Sequence, residues 1–564
     1  MTDWIYDLET YPNIFSIGLM NVDTKEAWVF EISARKNQSK QMIDFMRRLY
    51  REKARMVGFN NIGFDYPVLH YILKNKDCSV YSIYKKAMSL ISAEDDDRFR
   101  NLVREEDVMI PQIDLYKIHH FDNRARATSL KVLEFNMRSD NIEDLPFDVG
   151  KDLNSSQMDT LIKYMQHDIK ETYKFYLKTL PMISFREELT IKYNKNFLNH
   201  NDTKIGKDYL IMRLEETNPG CCYKVDVHGK RKIQQTKRKN IKLKECIFPY
   251  VNFEREEFKA VLEWFKSQTI TETKGVFTDI LEHKLGDVAQ YAEMVTKEKK
   301  LKSQPTEEEI IEMKKELPLC WVEERVLKSS KKPVYYKRWR LAENLNVVVD
   351  GFRFDFGTGG IHGSLTGVIA VENEEHQILD ADVSSMYPNL AISNGIYPEH
   401  LGQTFCSIYK EMYLQRKSYD KKSAENAMLK LALNGTYGDS NSEFSPLYDP
   451  KFTMSITVNG QLSLCMLAER LLKIEGLQLI QVNTDGVTVY MPRKHKEQYD
   501  VICNQWQKEV KLDLEYADYS KMCVRDVNNY TAIYTDGKVK NKGAYEYKDL
   551  GWHKNHSSLV VAMA

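Results

Sequence analysis

Short apolar bursts open the chain. Trp4-Ile-Tyr, Ile14-Phe-Ser-Ile-Gly-Leu and Ala27-Trp-Val-Phe are separated by polar residues, the pattern of a strand meander at the start of an α/β domain. Helical periodicity follows over 41–53. Residues 58–65 read as a strand running into a turn, and 66–74 as the start of a helix. The strongest 3.6-residue period covers 155–180 and opens on Asn154-Ser-Ser, a good cap. Residues 186–345 change character. Lys and Glu runs at 230–244 and 297–315 predict solvated helices and loops, with Pro305-Thr-Glu-Glu-Glu as a helix start. The most basic stretch, 231–242, is a weak candidate for nucleic-acid contact. Strand patterns return at Val347-Val-Val and Gly367-Val-Ile-Ala-Val. Helices are predicted over 404–419, 423–433 and 461–474, and a hairpin over 477–490 whose turn holds Asp485.

A length of 564 residues allows two to four domains with a large core. Lys+Arg and Asp+Glu both number 81, so the formal net charge is 0. That excludes a simple basic coat protein, and any nucleic acid must be held by local basic grooves. The 9 Cys include the adjacent Cys221-Cys222 but no C-x-x-C pair, which points to a reduced, cytoplasmic chain without zinc (host cytoplasm if the source is viral). The first residues lack the basic and apolar segments of a signal peptide, and no apolar run is long enough to span a bilayer. No membrane partner is expected.

Two sets of residues carry chemistry. Asp382 follows the apolar run 377–381 in Asp382-Val-Ser-Ser-Met-Tyr387-Pro388, and Asp485 lies in Val482-Asn-Thr-Asp485-Gly486. Both acids end predicted strands, and adjacent strands of one sheet could bring them together over a metal pair. Between them, Lys430, Asn434 and Tyr437 recur at helical spacing, with Gly438 as a left-handed stop. Arg416-Lys417 lies on the preceding helix. Two carboxylates and a cation for a triphosphate make the parts of nucleotidyl transfer. The second set is N-terminal. Asp7 and Glu9 alternate onto one side of a strand, Asp65 follows Asn60-Asn61-Ile-Gly-Phe64, and Tyr164 and Asp168 are one helical turn apart. Four carboxylates and a tyrosine suit metal-assisted phosphodiester hydrolysis.

These ordered motifs, Dx₂SxYP, Kx₃NxxYG and xTD, resemble motifs A, B and C of family B DNA polymerases, in a bacteriophage-like flavour. DxE, NxxxFD and YxxxD resemble the 3′–5′ exonuclease that precedes such palms. The resemblance implies a mixed α/β (α+β), multidomain chain. An RNase H-like exonuclease would span 1–185 and a charged, mostly helical connecting region 186–345. The right-hand part would follow as palm 346–403 and 439–525, fingers 404–438 and a short thumb 526–564. It implies metal ligation by Asp382, the Val383 carbonyl and Asp485 at one site. At the other it implies Asp7, Glu9, Asp65 and Asp168, with Tyr164 and an auxiliary Lys131 in Ser129-Leu-Lys-Val-Leu. Ser384, Ser385, Met386, Tyr387 as steric gate, Arg416, Lys430, Asn434 and Tyr437 would meet the nucleotide. Gly359, Gly360 and Tyr530 would meet DNA. The cofactor would be Mg²⁺, with Mn²⁺ as a substitute, and the partners a DNA primer-template and dNTPs.

The pattern departs from the family in places. Motif C reads Asn483-Thr-Asp485, and the primer-gripping Lys-x-Tyr reads Asn528-Asn529-Tyr530. The thumb, beginning near Trp552-His-Lys-Asn-His, is short, which leaves room for a missing thumb segment or a processivity partner. About fifty residues separate motifs A and B, too few for the insertion of protein-primed relatives, so no terminal-protein primer is expected. The resulting expectation is a proofreading DNA polymerase of phage genome replication. The alternatives are a 3′–5′ exonuclease with a structural palm and a non-enzymatic DNA-binding replisome scaffold.

Overall fold

The computed structural model describes residues 2–93, 101–124, 127–326 and 332–546. The chain divides into two compact units, 1–205 and, among the described residues, 206–546. The first is built on a five-stranded sheet of order β3-β2-β1-β4-β5. Its strands are β1 (Asp3–Tyr11), β2 (Ile14–Asn21), β3 (Ala27–Ser33), β4 (Arg55–Gly58) and β5 (Gln112–Asp114). The first three form the predicted antiparallel meander, while β4 and β5 join in parallel.

Strand alternation distributes the β1 side chains between two cores. Trp4, Tyr6 and Leu8 enter one core, which also holds Met42 and Leu49 of the Ser39–Arg51 helix and Leu69 and Ile72 of the Asp65–Lys74 helix. Ile5 enters the other, with Met165, Ile169 and Phe175 of the long Ser155–Tyr193 helix. Asn154 caps that helix through a full capping box with Gln157. The helix continues through Pro181 to Tyr193, so the expected boundary at 185 falls inside one continuous helix.

In the second unit a mixed-length sheet runs from Thr278–Leu281 through Pro333–Val349 to Val539–Lys542. His376–Val383 lies at its centre, between Gly486–Pro492 and Leu514–Asp526. The helix Pro450–Leu471 is buried on almost every side, longer than its apolar period suggested. Its first half is polar, yet Asn459 donates to the carbonyls of Cys246 and Ser455 at 2.6 Å each and is fully satisfied inside.

Two expectations for 186–345 are corrected. The 17-residue strand Pro333–Val349 crosses the boundary at 345 without a break. The region is also not mostly helical. Val295–Lys300 and Trp321–Val326 are strands that pair with Pro333–Val349, and basic residues at 231–233 form half of a small hairpin with Tyr223–Val225. Charged side chains satisfied by cross-strand partners hide the strand period that apolar residues would have displayed. Glu307–Glu316 is a helix, with Thr306 and Glu309 forming its capping box and Pro305 outside the first turn. The expected thumb start at 552–556 lies outside the described residues.

Candidate active sites

Asp7 and Glu9 share the β1 face of Ile5, the side covered by the Ser155–Tyr193 helix. Across the strands, Asp7 faces Gly18. A Cβ on Gly18 would fall 2.4 Å from Ile169 Cδ1, so the glycine lets the helix approach the carboxylates closely. Ligand oxygens of Asp7, Glu9 and Asp168 lie within 4.8 Å of one another. The Tyr164 phenol hydrogen-bonds Asp168 one turn away. Asp65 begins its helix buried, and its charge acts on both Asp7 and Glu9. Lys131 pairs with Asp144, and its charge also reaches Asp168.

The electrostatics are those of a cation site. Burial, then Asp65, Glu9 and Asp168, push Asp7 well above the usual carboxylate range. Burial and the neighbouring acids lift Glu9 to about 8, and burial lifts Asp65 and Asp168 to about 7. Asp7, Glu9 and Asp65 have no ion-pair partner among the described residues. Oxygen ligands of this kind suit a hard divalent ion.

In the second unit Asp382 ends the His376–Val383 strand, in register with Gly486 on one side and Glu515 on the other. Asp485 occupies the turn between Gln478–Asn483 and Gly486–Pro492, with Thr484 at φ 53°. The Val383 amide donates to the Asp485 carbonyl at 2.7 Å, and the two carboxylates hydrogen-bond each other. A Cβ on Gly486 would come 3.1 Å from Asp382 Oδ1, so this glycine makes room for the pair. Burial, then Asp485 and Asp380, raise Asp382 to about 7, against the lowering pull of Lys540. Burial raises Asp485 as well.

Both acids line a cleft of about 880 Å³ together with Val383, Ser384, Ser385, Met386, Tyr387, Arg416, Lys430 and Asn434. Arg416 donates to Ser385 Oγ at 3.4 Å, and Ser384 Oγ donates to Glu515 at 2.9 Å. Met386 contributes little side chain, being buried against Gly460. Arg416 and Lys430 come from a helical hairpin, Gln403–Ser418 and Ala424–Ser440, tied by Asn426 Nδ2 to the carbonyl of Arg416 at 3.0 Å. Gly206 meets the backbone of that second helix so closely that a Cβ would lie 2.4 Å from the Leu431 carbonyl carbon.

Several expected roles change. Tyr437 does not line the cleft. It stacks behind Tyr387 with ring centroids 4.5 Å apart and donates to the Thr358 carbonyl at 2.5 Å. Tyr387 Oη donates to the Gly359 carbonyl at 2.7 Å, so two tyrosines fasten the glycine loop. Gly360, at φ 134°, would bring a Cβ to 3.2 Å from Thr484 and 3.3 Å from Tyr387 Oη, so its need for glycine is internal. Gly359 has open space beside it. Gly438 is no left-handed stop, because the helix runs on to Ser440 and caps at Asn441 in the right-handed region. Tyr530 is buried and lines a smaller pocket of about 400 Å³ with Asp382, Asp485 and Lys540.

Residues 6–208 match a protein-family model described as a predicted 3′–5′ exonuclease related to the exonuclease domain of PolB. This chain is related to the family B DNA polymerases. Over 131 residues it is 30% identical to DNA polymerase 1 of Sulfolobus acidocaldarius and 32% identical to that of Sulfurisphaera ohwakuensis. Each alignment covers 23% of this chain and only 14% of the relative. The solved family B DNA polymerase of the hyperthermophilic archaeon Pyrobaculum calidifontis aligns over 96% of this chain and 60% of that one, at 14% identity and a TM-score of 0.44.

Both carboxylate sites contain residues that motif reading missed. Asp114 accepts the amides of Asn60 at 2.9 Å and Ile62 at 3.1 Å, which shapes the turn that delivers Asp65. Its signal was an acid ending the short apolar strand after Pro111. Glu134 and His167, 3.2 Å apart, form a second acidic group around Asp168. Asn483 donates to the Val527 carbonyl at 3.2 Å and so ties the turn that holds Asp485 to the next loop. Lys540 acts on both carboxylates from a strand beyond every motif.

The carboxylate clusters make stability depend on pH and on cations. Glu9 is about 8 in the folded chain against 4.5 unfolded, and Asp65, Asp168 and Asp382 are about 7 against 3.8. The folded chain holds more protons, so stability falls as pH rises from the unfolded values through about 7 to 8. In EDTA, the Tm is expected to drop between pH 5 and pH 8, and Mg²⁺ at pH 8 should restore it. Differential scanning fluorimetry checks this, and a Tm insensitive to both pH and Mg²⁺ would contradict it.

Proposed function

We propose that this chain is a template-directed DNA polymerase carrying its own 3′–5′ proofreading exonuclease. The observation that carries the polymerase half is the hydrogen-bonded pair Asp382 and Asp485 on the wall of the cleft that Arg416 and Lys430 also line. Mg²⁺, or Mn²⁺ in its place, would be held by Asp382, Asp485 and the Val383 carbonyl, and by Asp7, Glu9, Asp65 and Asp168. Bound there, such ions supply activation of the attacking oxygen and neutralisation of phosphate charge.

The chain's own residues do the rest. Arg416 and Lys430 meet the triphosphate with two cations held at fixed spacing by the helical hairpin. Asn434, one turn beyond Lys430, offers an amide to the incoming nucleotide. Ser384 and Ser385 sit on the turn after the strand and orient the cleft wall. In the exonuclease, Tyr164 holds Asp168, and Lys131 eases its charge. Partition of a primer end between two sites of opposite action is the basis of proofreading. The support for the nuclease half is the match of residues 6–208 to PolB-related exonucleases.

Tyr387 is assigned the discrimination of sugars. Its ring is held by Tyr437 on one side and its hydroxyl by Gly359, so it cannot yield to a 2′-hydroxyl. Tyr387→Val is expected to admit ribonucleotides about ten- to a hundredfold better, roughly 1–3 kcal/mol, while Tyr387→Phe keeps the selectivity. Single-nucleotide incorporation of rNTP against dNTP measures it. An unchanged ratio in folded Tyr387→Val makes Tyr387 a core residue only.

Primer extension on a recessed template with Mg²⁺ tests the whole reading. With dNTPs the primer lengthens, and without them it shortens from its 3′ end. A primer that shortens under both conditions reduces the chain to a nuclease.

A further inference from the structure

The three strands Val295–Lys300, Trp321–Val326 and Pro333–Val349 form a sheet arm whose two faces differ in how their charges are paired. Register assigns the faces, because residues opposite one another in an antiparallel pair share a side. On one face, Arg338 lies opposite both Glu298 and Trp321, and Tyr336 opposite Glu323. This face has its arginines paired with acids and carries Lys300 opposite Tyr336. Arg325 pairs with Glu298 at 2.8 Å and Glu323 at 2.6 Å, Arg338 with the same two acids, and Arg340 with Glu282 at 3.1 Å. Its rings are covered too, Tyr336 by Arg325 and Trp321 by Arg338.

The other face does the opposite. Lys299 stands directly across from Lys337, a like-charge pair that costs stability unless something anionic lies over it. Neither lysine has an ion-pair partner among the described residues. Lys337 alternates with Tyr335 and Trp339 along the strand, and Lys297 lies opposite Trp339, leaning to Glu343 at 3.0 Å. Trp339 is half-buried, with no ring or cation stacked on it among the described residues. The acids of this face are Glu324, which faces Tyr335, and Glu343, which takes Lys297, so Lys299 and Lys337 are left without an acid between them. Tyr335 and Trp339 are about 13 Å apart along the strand, with cations between them.

We propose that this face is a binding platform for single-stranded DNA, with Trp339 and Tyr335 as stacking surfaces and Lys299 and Lys337 as phosphate contacts. Single strands combine what the face offers, a regularly charged backbone and flat bases that stack on aromatic rings without regard to sequence. The assignment of DNA as the nucleic acid rests on the polymerase reading above, for which a single-stranded template or displaced strand is always present.

Fluorescence anisotropy tests it with the full chain, fluorescein-labelled oligo(dT) of about 20 nucleotides and no divalent ion, so that neither nucleotide chemistry nor digestion contributes. K299E/K337E is expected to weaken binding about tenfold and to flatten the slope of log K against log salt by about 1.4. Trp339→Ala should weaken it about fivefold and remove the preference for oligo(dT) over an abasic strand of the same length. If K299E/K337E does not fold, K299Q/K337Q, which removes both charges without reversing them, gives the deciding value. Wild-type affinity and salt slope in the folded lysine variant overturn the proposal. So does polyglutamate displacing the DNA at equal charge concentration, which makes the face an acidic-protein site. Primer extension is measured separately on a template with a short overhang. Its failure in the wild type counts against the polymerase reading, and unchanged extension in the lysine variant beside lost oligo(dT) binding supports the platform.

Discussion

Asp382→Ala and Asp485→Ala are each expected to abolish primer extension, lowering its rate roughly a thousandfold or more, about 4 kcal/mol of barrier. Digestion of a single-stranded 3′ end stays at the wild-type rate in both. The reason is local. The two carboxylates are partly buried, hydrogen-bonded to each other and raised in pKa, so their charges together cost stability, which a proton or a bound cation relieves. Asp382→Asn removes the repulsion while keeping the shape, and so should raise the Tm in EDTA at pH 8 while still losing extension. A variant that loses both extension and stability would make Asp382 a structural residue. Near-wild-type extension by either alanine variant would remove these acids from the reaction.

The second large effect is the converse. The double variant Asp7→Ala, Glu9→Ala is expected to lose 3′-end digestion by a comparable factor and to keep extension, with a rise in misincorporated products. Both side chains project from β1 beneath the Ser155–Tyr193 helix, where Asp168 completes the group. Glu9→Gln alone should show most of the loss, because it keeps the volume and removes the charge. Gel analysis of a labelled single strand with Mg²⁺ measures it. Persistent digestion by the double variant would assign the nuclease to other residues.

The parts of the fold that could be read from sequence are those where burial sets a period. β1 is marked by its apolar burst Trp4-Ile-Tyr, and the i,i+2 spacing on a strand assigns Asp7 and Glu9 to one face. The Ser155–Tyr193 helix is marked by Asn154 and its apolar stripe, and the hairpin around Asp485 by two apolar runs flanking Asn-Thr-Asp-Gly. Elements escaped where polar residues are satisfied internally. The first half of Pro450–Leu471 buries Thr453, Ser455, Thr457 and Asn459, so its helical period is invisible to hydropathy. Pro333–Val349 alternates Tyr, Lys, Arg and Trp in an arm with little core, and therefore resembled solvated coil.

At the sites, motif residues were legible because their spacing is local, i,i+2 on a strand or i,i+4 on a helix. Residues that act across long sequence separations were not. Asp114 orders the turn before Asp65, Gly18 admits the helix over Asp7, and Lys540 bears on Asp382, yet none has a spacing relation to the residue it serves. Tyr437 was assigned to the cleft by its helical spacing from Lys430. The helix instead turns it behind Tyr387, where it fastens the glycine loop.

The central claim is that opposed synthesis and degradation reside in one chain, and idle turnover measures it most directly. The purified chain is given Mg²⁺, a primer-template and only the next correct dNTP, labelled in its α-phosphate. The account predicts continuous, template-dependent release of labelled dNMP while the primer length stays constant. Release should stop in Asp382→Ala, where nothing is incorporated, and in the Asp7→Ala, Glu9→Ala double variant, where the added nucleotide is retained. Sustained dNMP release by either variant, or none from the wild type, would contradict it.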